Sequence, residues 1–259
     1  MIGREQRFHP HLSFFERMYV SFFGAPIVGL RIRVRNLSHL LPAQYNPKRV
    51  LDAGSGPGVM TFLLQQRYPA AVVVGVDLDG GEIAVCQAIA RRANRDVQFA
   101  VADLRALPWS GQFDLAICVD ILEHLNDDDQ ALHELFQALT PGGRLLLHVP
   151  SRYRRYPIYK KSINFDVPGH VRPGYDLDEI ANKTRNAGFS VEECRLTYGF
   201  LESLANNVSY MITKARKRNK MLYAVAFPFL NALGWLGRHA IPSTIGAGIV
   251  IIGTKPTVD

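Results

Sequence analysis

The stretch Asp52-Ala53-Gly54-Ser55-Gly56-Pro57-Gly58 decides the fold. It follows the β-branched run RVLDA (49–53) and precedes a helical pattern over 58–68. Glycine visits backbone conformations closed to other residues, so this loop can turn sharply off a strand and admit a ligand close to its backbone. The next apolar run, VVVGVD (72–77), ends in Asp77, 25 residues beyond Asp52. A carboxylate at that strand edge is placed to accept hydrogen bonds from a ribose diol.

Outward from this loop the same rhythm continues. Further strands are expected at 97–101, 113–118 and 143–149, with helices over about 81–92 and 127–139 between them. The last helix opens on Asp127-Asp128-Asp129, acids suited to a helix N-terminus, and stops at Pro141-Gly142-Gly143. Strands that read as nearly continuous apolar runs are covered on both faces. The expected fold is therefore α/β and doubly wound, around a mostly parallel sheet.

Two competing loops fail on their own chemistry. A dinucleotide fingerprint needs glycine or alanine where Val59 stands, and no GK[ST] follows to make a phosphate-binding Walker loop. An acid two residues before the first glycine would also repel a pyrophosphate. Asp52 suits a ligand that carries an amino group and positive charge.

At this point the sequence resembles the class I S-adenosylmethionine (SAM)-dependent methyltransferases, over roughly 48–196. The segment 52–58 is similar to their first motif, Asp77 to the ribose-binding acid, and Ala102-Asp103-Leu104 to the segment whose acid meets the adenine amino group. Val119-Asp120-Ile121-Leu122-Glu123-His124 resembles the fourth motif with the "LEH" ending of small-molecule members, the quinone-biosynthesis type among them. The resemblance implies SAM as cofactor, a Rossmann-like, doubly wound, mostly parallel seven-stranded α/β sheet, and a closing hairpin at 189–196 and 247–253. It assigns contacts to Asp52, Gly54, Ser55, Gly56, Gly58, Asp77, Leu78, Ala102, Asp103, Leu104, Val119 and Asp120.

Methyl transfer needs orientation, a dry pocket and, for an oxygen nucleophile, a base. Catalytic candidates lie after the fourth and fifth strands: His124, then His170, Arg172 and Tyr175 in the GHVR-x-GY stretch of the loop 151–175. Asp120 is a further proton acceptor. That loop also carries Asp166 and five Arg or Lys residues in its first half. His148, inside an apolar run, reads as a core histidine, and Asp114 as a capping acid. The fourth motif lacks the (N/D)PPY loop of base-amine methylation, and Cys118 lacks the context of a cytosine-carbon nucleophile. No metal site like that of catechol methyltransferases is expected.

The composition bounds the rest. At 259 residues and 47% hydrophobic the chain can bury a large core, and its three cysteines fit a reducing compartment. Arg4, Glu5 and Arg7 interrupt any apolar start, so no signal peptide is expected and the location is cytoplasmic. A formal charge of +7 and a pI near 9.4 point to an anionic partner. Residues 8–41 place Phe8, Leu12, Phe15, Met18, Tyr19 and Phe22 at helical spacing, then Arg31, Arg33 and Arg35. The run Lys214, Arg216, Lys217, Arg218 and Lys220 leads into an uncharged stretch, 221–237, that is short for a span and holds Pro228. The expected organisation is an amino-terminal helical cap (1–46), a SAM-binding core (47–199), a helical insertion (200–245) and a final strand and tail (246–259). The insertion is either an acceptor cap or a membrane-surface element. The partner expected is a hydrophobic small-molecule or lipid-like acceptor, with an anionic membrane surface beside it. An RNA methyltransferase and a catalytically silent SAM-binding scaffold are the alternatives, nucleic acid being disfavoured by the missing base-methylation loop.

Overall fold

The computed structural model describes residues 1–41, 45–154, 162–163, 169–214, 220–239 and 246–257. Asp166, Arg155, Lys160 and Lys161 of the loop 151–175 lie outside them, as do Arg216, Lys217 and Arg218.

A seven-stranded sheet organises the chain, in the order β3-β2-β1-β4-β5-β9-β8. Its strands are β1 (Arg49–Ala53), β2 (Val72–Asp77), β3 (Gln98–Val101), β4 (Phe113–Val119), β5 (Leu139–Pro150), β8 (Ser190–Thr197) and β9 (Gly248–Thr254). A separate pair, β6 (Tyr153–Arg154) and β7 (Ser162–Ile163), follows β5. Neighbours from β3 to β5 pair in parallel, and β9 runs antiparallel between β5 and β8. The sheet is the expected mostly parallel, doubly wound one.

Alternate residues of the central strands feed two apolar layers. Leu51, Ala53, Val74, Val76, Ala116 and Cys118 face one way, and Val50, Val73, Leu115, Ile117 and Leu146 the other. That two-sided burial is why the strands read as unbroken apolar runs. Between them lie α3 (Val59–Arg67), α4 (Gly80–Ala93), α5 (Asp128–Ala138) and α6 (Leu177–Asn186). Asp79 caps α4 and Asp127 caps α5 through their side chains. Asp114 accepts from the backbone N–H groups of Lys48 and Arg49 at 2.6 and 2.9 Å, fastening the entry to β1.

One boundary differs from the sequence reading. Strand pairing begins at Leu139, opposite Phe113, so Pro141-Gly142-Gly143 lies within β5 at an irregularity in its register. Glycine at φ 77° (Gly142) accommodates that bulge.

The flanking helices are α1 (Phe14–Phe23), α2 (Val28–Ser38), α7 (Phe200–Lys214) and α8 (Lys220–Leu236). Ser13 and Glu16 form a reciprocal capping box at the start of α1. Val28 and Ile32 of α2, Ala205 of α7, and Phe227 and Leu230 of α8 share one apolar cluster with Tyr198. Within it Arg31 lies over the Phe227 ring at 5.1 Å and donates to the Ala25 carbonyl at 2.9 Å. Burial lowers its guanidinium to about 10. Among the described residues no helix is long and apolar enough to cross a membrane.

Candidate cofactor and active site

The strand order reverses at β1 and β4, which opens a crevice at their carboxyl ends. The glycine loop sits there. Gly54 and Ser55 both donate backbone N–H bonds to the Val76 carbonyl at 2.8 Å. At φ 81° Gly54 is left-handed, and a Cβ on it would stand 2.2 Å from the Ile121 side chain, so only glycine lets the loops after β1 and β4 close together. Gly56, at φ 46°, faces open space, where a side chain would occupy a ligand's place. Gly58, also left-handed, caps α3.

Asp77 holds this loop as well as facing the crevice. Its Oδ2 accepts from Gly56 N at 2.9 Å and its Oδ1 from Asp79 N at 3.0 Å. Next to it Leu78 is exposed, an apolar surface beside the carboxylate. Beneath the loop the Ser55 hydroxyl is buried without a hydrogen-bond partner. An orphaned hydroxyl, an open glycine backbone and a strand-end acid fit a polar nucleoside ligand, and SAM has that chemistry. Asp77, Ser55, Gly56 and Leu78 would hold it.

Other expected cofactor residues sit differently. Asp52 is buried and accepts from Thr61 Oγ1 at 2.6 Å, tying α3 to β1. Burial pushes its carboxyl up to about 6. Its Oδ2 is thus held by a hydroxyl of α3. Ala102 and Leu104 contribute their side chains to the core. Asp103 is partly exposed, and its carboxylate is gripped by Arg105, whose Nη2 lies 2.6 Å from Oδ2. Val119 ends β4, half-buried.

Past β4 the chain turns through Asp120 at φ 53°, a left-handed position that aspartate tolerates. Asp120 Oδ2 forms an ion pair with Arg33 of α2. Its Oδ1 lies 2.6 Å from Nδ1 of His148, and the His148 Nε2 lies 3.0 Å from the Thr197 hydroxyl. His148 is thus the satisfied core histidine expected. Burial, and then the nearby Arg33 charge, lower it to about 3, so Nδ1–H donates and Nε2 accepts.

The LEH segment folds as one 3-10 turn, Leu122–His124. Its Glu123 is 1% exposed, and burial pushes the carboxyl up to about 7. Glu123 Oε1 lies 3.9 Å from His170 Nε2, while Glu123 Oε2 has no hydrogen-bond partner. His124 and His170 meet edge to face with centroids 4.6 Å apart. Since Gly169 O can only accept, His124 donates to it from Nδ1 at 3.0 Å. Glu123, His124 and His170 each offer a donor atom, all within 4.8 Å of one another. A carboxylate with two imidazoles can serve as a proton relay or hold a divalent cation. Glu123 was passed over in the sequence, although acid, acid and imidazole at positions 120, 123 and 124 share one turn.

Tyr175 and Arg172 do not join this group. Tyr175 is fully buried and donates its hydroxyl to Asp128 Oδ2 at 2.7 Å. Burial, and then Asp128, push the phenol far above its ordinary value. Arg172 binds the same oxygen at 2.5 Å and the Leu125 carbonyl at 2.8 Å, while Lys183 reaches Asp128 Oδ1 at 3.1 Å. Burial raises the Asp128 carboxyl, but Tyr175, Lys183 and Arg172 outweigh it and hold it below the usual range. These contacts correct the expectation that both residues face an acceptor: their polar atoms clamp the start of α5.

An apolar cavity of about 590 Å³ lies beside the glycine loop. Its walls come from Pro57 and Val59 at the start of α3, Tyr19 and Val20 of α1, and Met221 and Tyr223 of α8. The sequence reading placed a cover of this kind over the site without locating the cavity.

Residues 50–143 match the model of a methyltransferase domain. The chain is similar to a demethylmenaquinone methyltransferase of Thermus thermophilus, 35% identical over 46% of this chain and 54% of that one. It is also similar to a ubiquinone biosynthesis O-methyltransferase of Pseudomonas entomophila, 29% identical over 66% of this chain and 79% of that one. Matched segments span 54%, 26% and 40% of the lengths of three curated relatives. In fold it resembles a Haemonchus contortus phosphoethanolamine N-methyltransferase solved with SAM, at a TM-score of 0.64 and 17% identity, covering 99% of this chain and 61% of that one. Residues 50–143 thus match a methyltransferase domain, and the glycine loop, the strand-end acid and the switch point fit SAM as its cofactor.

Proposed function

We propose that the protein transfers a methyl group from SAM to an oxygen of a hydrophobic small molecule or lipid-linked acceptor, peripherally at the cytoplasmic face of an anionic membrane. The apolar cavity beside Pro57 and Val59 carries this reading, because a polar acceptor would gain little from such walls. The quinone-type acceptors in the names of the two curated relatives are consistent with it.

When bound, SAM supplies a methyl group activated by its sulfonium. Asp77 and the loop 54–58 orient the cofactor, and the apolar walls exclude water. His170 takes the acceptor proton on its imidazole, and Glu123, 3.9 Å from Nε2, steadies the charge. His124 stands against the His170 ring and keeps it in place.

Radiolabelled SAM, incubated with the protein and either a bacterial lipid extract or bulk RNA, tests the reading. Label is expected in the organic phase. Label in RNA, or in neither, overturns it.

A further inference from the structure

Helix α8 is apolar on both sides. Phe227 and Leu230 face the core, while Met221, Val225 and Phe229, at i, i+4 and i+8, form an outer stripe. After Lys220 the helix has no charged residue. A helix apolar all round requires an apolar neighbour on each face. The protein supplies one, while on the outer side Met221, Val225 and Phe229 are 79%, 64% and 73% exposed.

Helix α1 repeats the pattern. Phe14, Met18 and Phe22 stand at the same spacing, and Phe14 and Phe22 are 71% and 68% exposed. The two helices are joined: the Tyr19 hydroxyl donates to the Ala224 carbonyl at 2.7 Å, and Lys220 lies 3.5 Å from Glu16. At their junction Phe15 and Met221 both line the 590 Å³ cavity and are 77% and 79% exposed, so they form its rim.

Charge selects what covers this face. Between Glu202 and Asp259 the sequence has no acidic residue, and Lys214, Arg216, Lys217, Arg218 and Lys220 run into the start of α8. A second copy seated symmetrically would bring like charges together. Anionic lipid offers both an apolar interior and negative headgroups.

We propose that α1 and α8 form a single contact face for an anionic phospholipid bilayer, with the cavity opening into it so that an apolar acceptor enters sideways from the lipid. This rests on the peripheral-membrane reading above and extends it to α1 and to the route of entry.

The test uses the full chain and vesicles of phosphatidylcholine with or without phosphatidylglycerol. The wild type should partition onto the mixed vesicles and release in high salt. The double variant Phe14→Ser/Phe22→Ser, which leaves 200–245 untouched, should partition at least about tenfold more weakly, given the hydrophobic worth of two phenylalanines. Its SAM affinity by calorimetry should match the wild type. Phe15→Trp should be quenched by lipids carrying a nitroxide near the headgroup, and shielded from aqueous acrylamide on vesicle binding. A wild type that ignores vesicles overturns the membrane reading itself. Normal partitioning of the double variant overturns only the shared face. A Phe15→Trp signal still open to acrylamide on vesicles overturns sideways entry. A lipid-free dimer abolished by the double variant gives the face to a second copy instead.

Discussion

Arg33 and Asp120, 87 residues apart in sequence, form an ion pair that ties α2 to the loop after β4. The pair is partly buried, with the two side chains 24% and 20% exposed, and His148 occupies the other carboxylate oxygen. Removing the carboxylate leaves a half-buried guanidinium and an imidazole N–H without an acceptor. Asp120→Ala should therefore cost about 1.5–3 kcal/mol of stability, the range for hydrogen bonds to charged groups. Asp120→Asn should cost less, because asparagine keeps an oxygen and also tolerates the left-handed backbone. Urea denaturation of both variants orders them. Equal losses would mean that neither the retained oxygen nor the backbone conformation at φ 53° contributes.

Asp77 has two tasks, so two substitutions separate them. Alanine removes both the crevice-facing carboxylate and its bonds to Gly56 N and Asp79 N. SAM affinity should fall by about 1.5–3 kcal/mol, roughly tenfold to over a hundredfold. Asparagine preserves one acceptor for the loop and should fall less. Calorimetry with SAM, its demethylated product and NAD reads the outcome. Binding of NAD without SAM, or unchanged affinity in Asp77→Ala, would contradict the assigned role.

Most of the fold was legible because parallel strands advertise themselves locally. The residues 49–53 and 72–77 read as strands are β1 and β2, and the glycine loop joins the first to its helix. The side-chain pairings were less legible. Tyr175 looked like an acceptor-facing phenol because its partner, Asp128, is 47 residues away and no periodicity links them. The bond from Thr61 to Asp52 was hidden for the same reason: it depends on how α3 returns over β1. Spacing reports backbone form and burial, whereas these pairings arise only when separate elements meet. Glu123 shows the same limit from the other side, since nothing local says that an acid in a 3-10 turn is buried against two imidazoles.

His170→Ala should lower kcat at least about a hundredfold while SAM affinity stays within a few-fold, as expected for loss of a general base. His124→Ala removes the ring against which His170 rests and the bond to Gly169, so it should disturb SAM binding as well. Tyr175→Phe is the contrast: it loses a bond to buried Asp128 and should cost stability, by about 1–3 kcal/mol, with turnover per folded molecule unchanged. Single-turnover kinetics beside thermal melts separate these effects. Turnover by imidazole alone is unaffected by EDTA. A loss restored by a divalent cation would assign Glu123, His124 and His170 to a metal instead.

His148 gives the clearest pH signature. Folded, burial and the nearby Arg33 hold its imidazole neutral down to about 3, whereas unfolded it titrates near the ordinary 6.5. Between those values the unfolded chain binds more protons, so this contribution to stability is complete above about pH 6.5 and is lost as the pH falls toward 3. At about pH 4 the loss amounts to the order of 3 kcal/mol. Glu123 and Asp52 act in the opposite sense. Burial raises their carboxyls to about 7 and about 6, so their contributions are fullest in acid and decline as the pH rises through those values. The wild-type profile sums all three and is shallow. His148→Gln keeps hydrogen-bonding groups but cannot titrate, so the difference between variant and wild type isolates the histidine. Urea titrations between about pH 4 and about pH 7 should show the variant gaining on the wild type as the solution is acidified. A pH-independent difference would mean that the fold leaves His148 unshifted, and a wild type gaining on the variant in acid would mean that Asp120 rather than burial governs its charge.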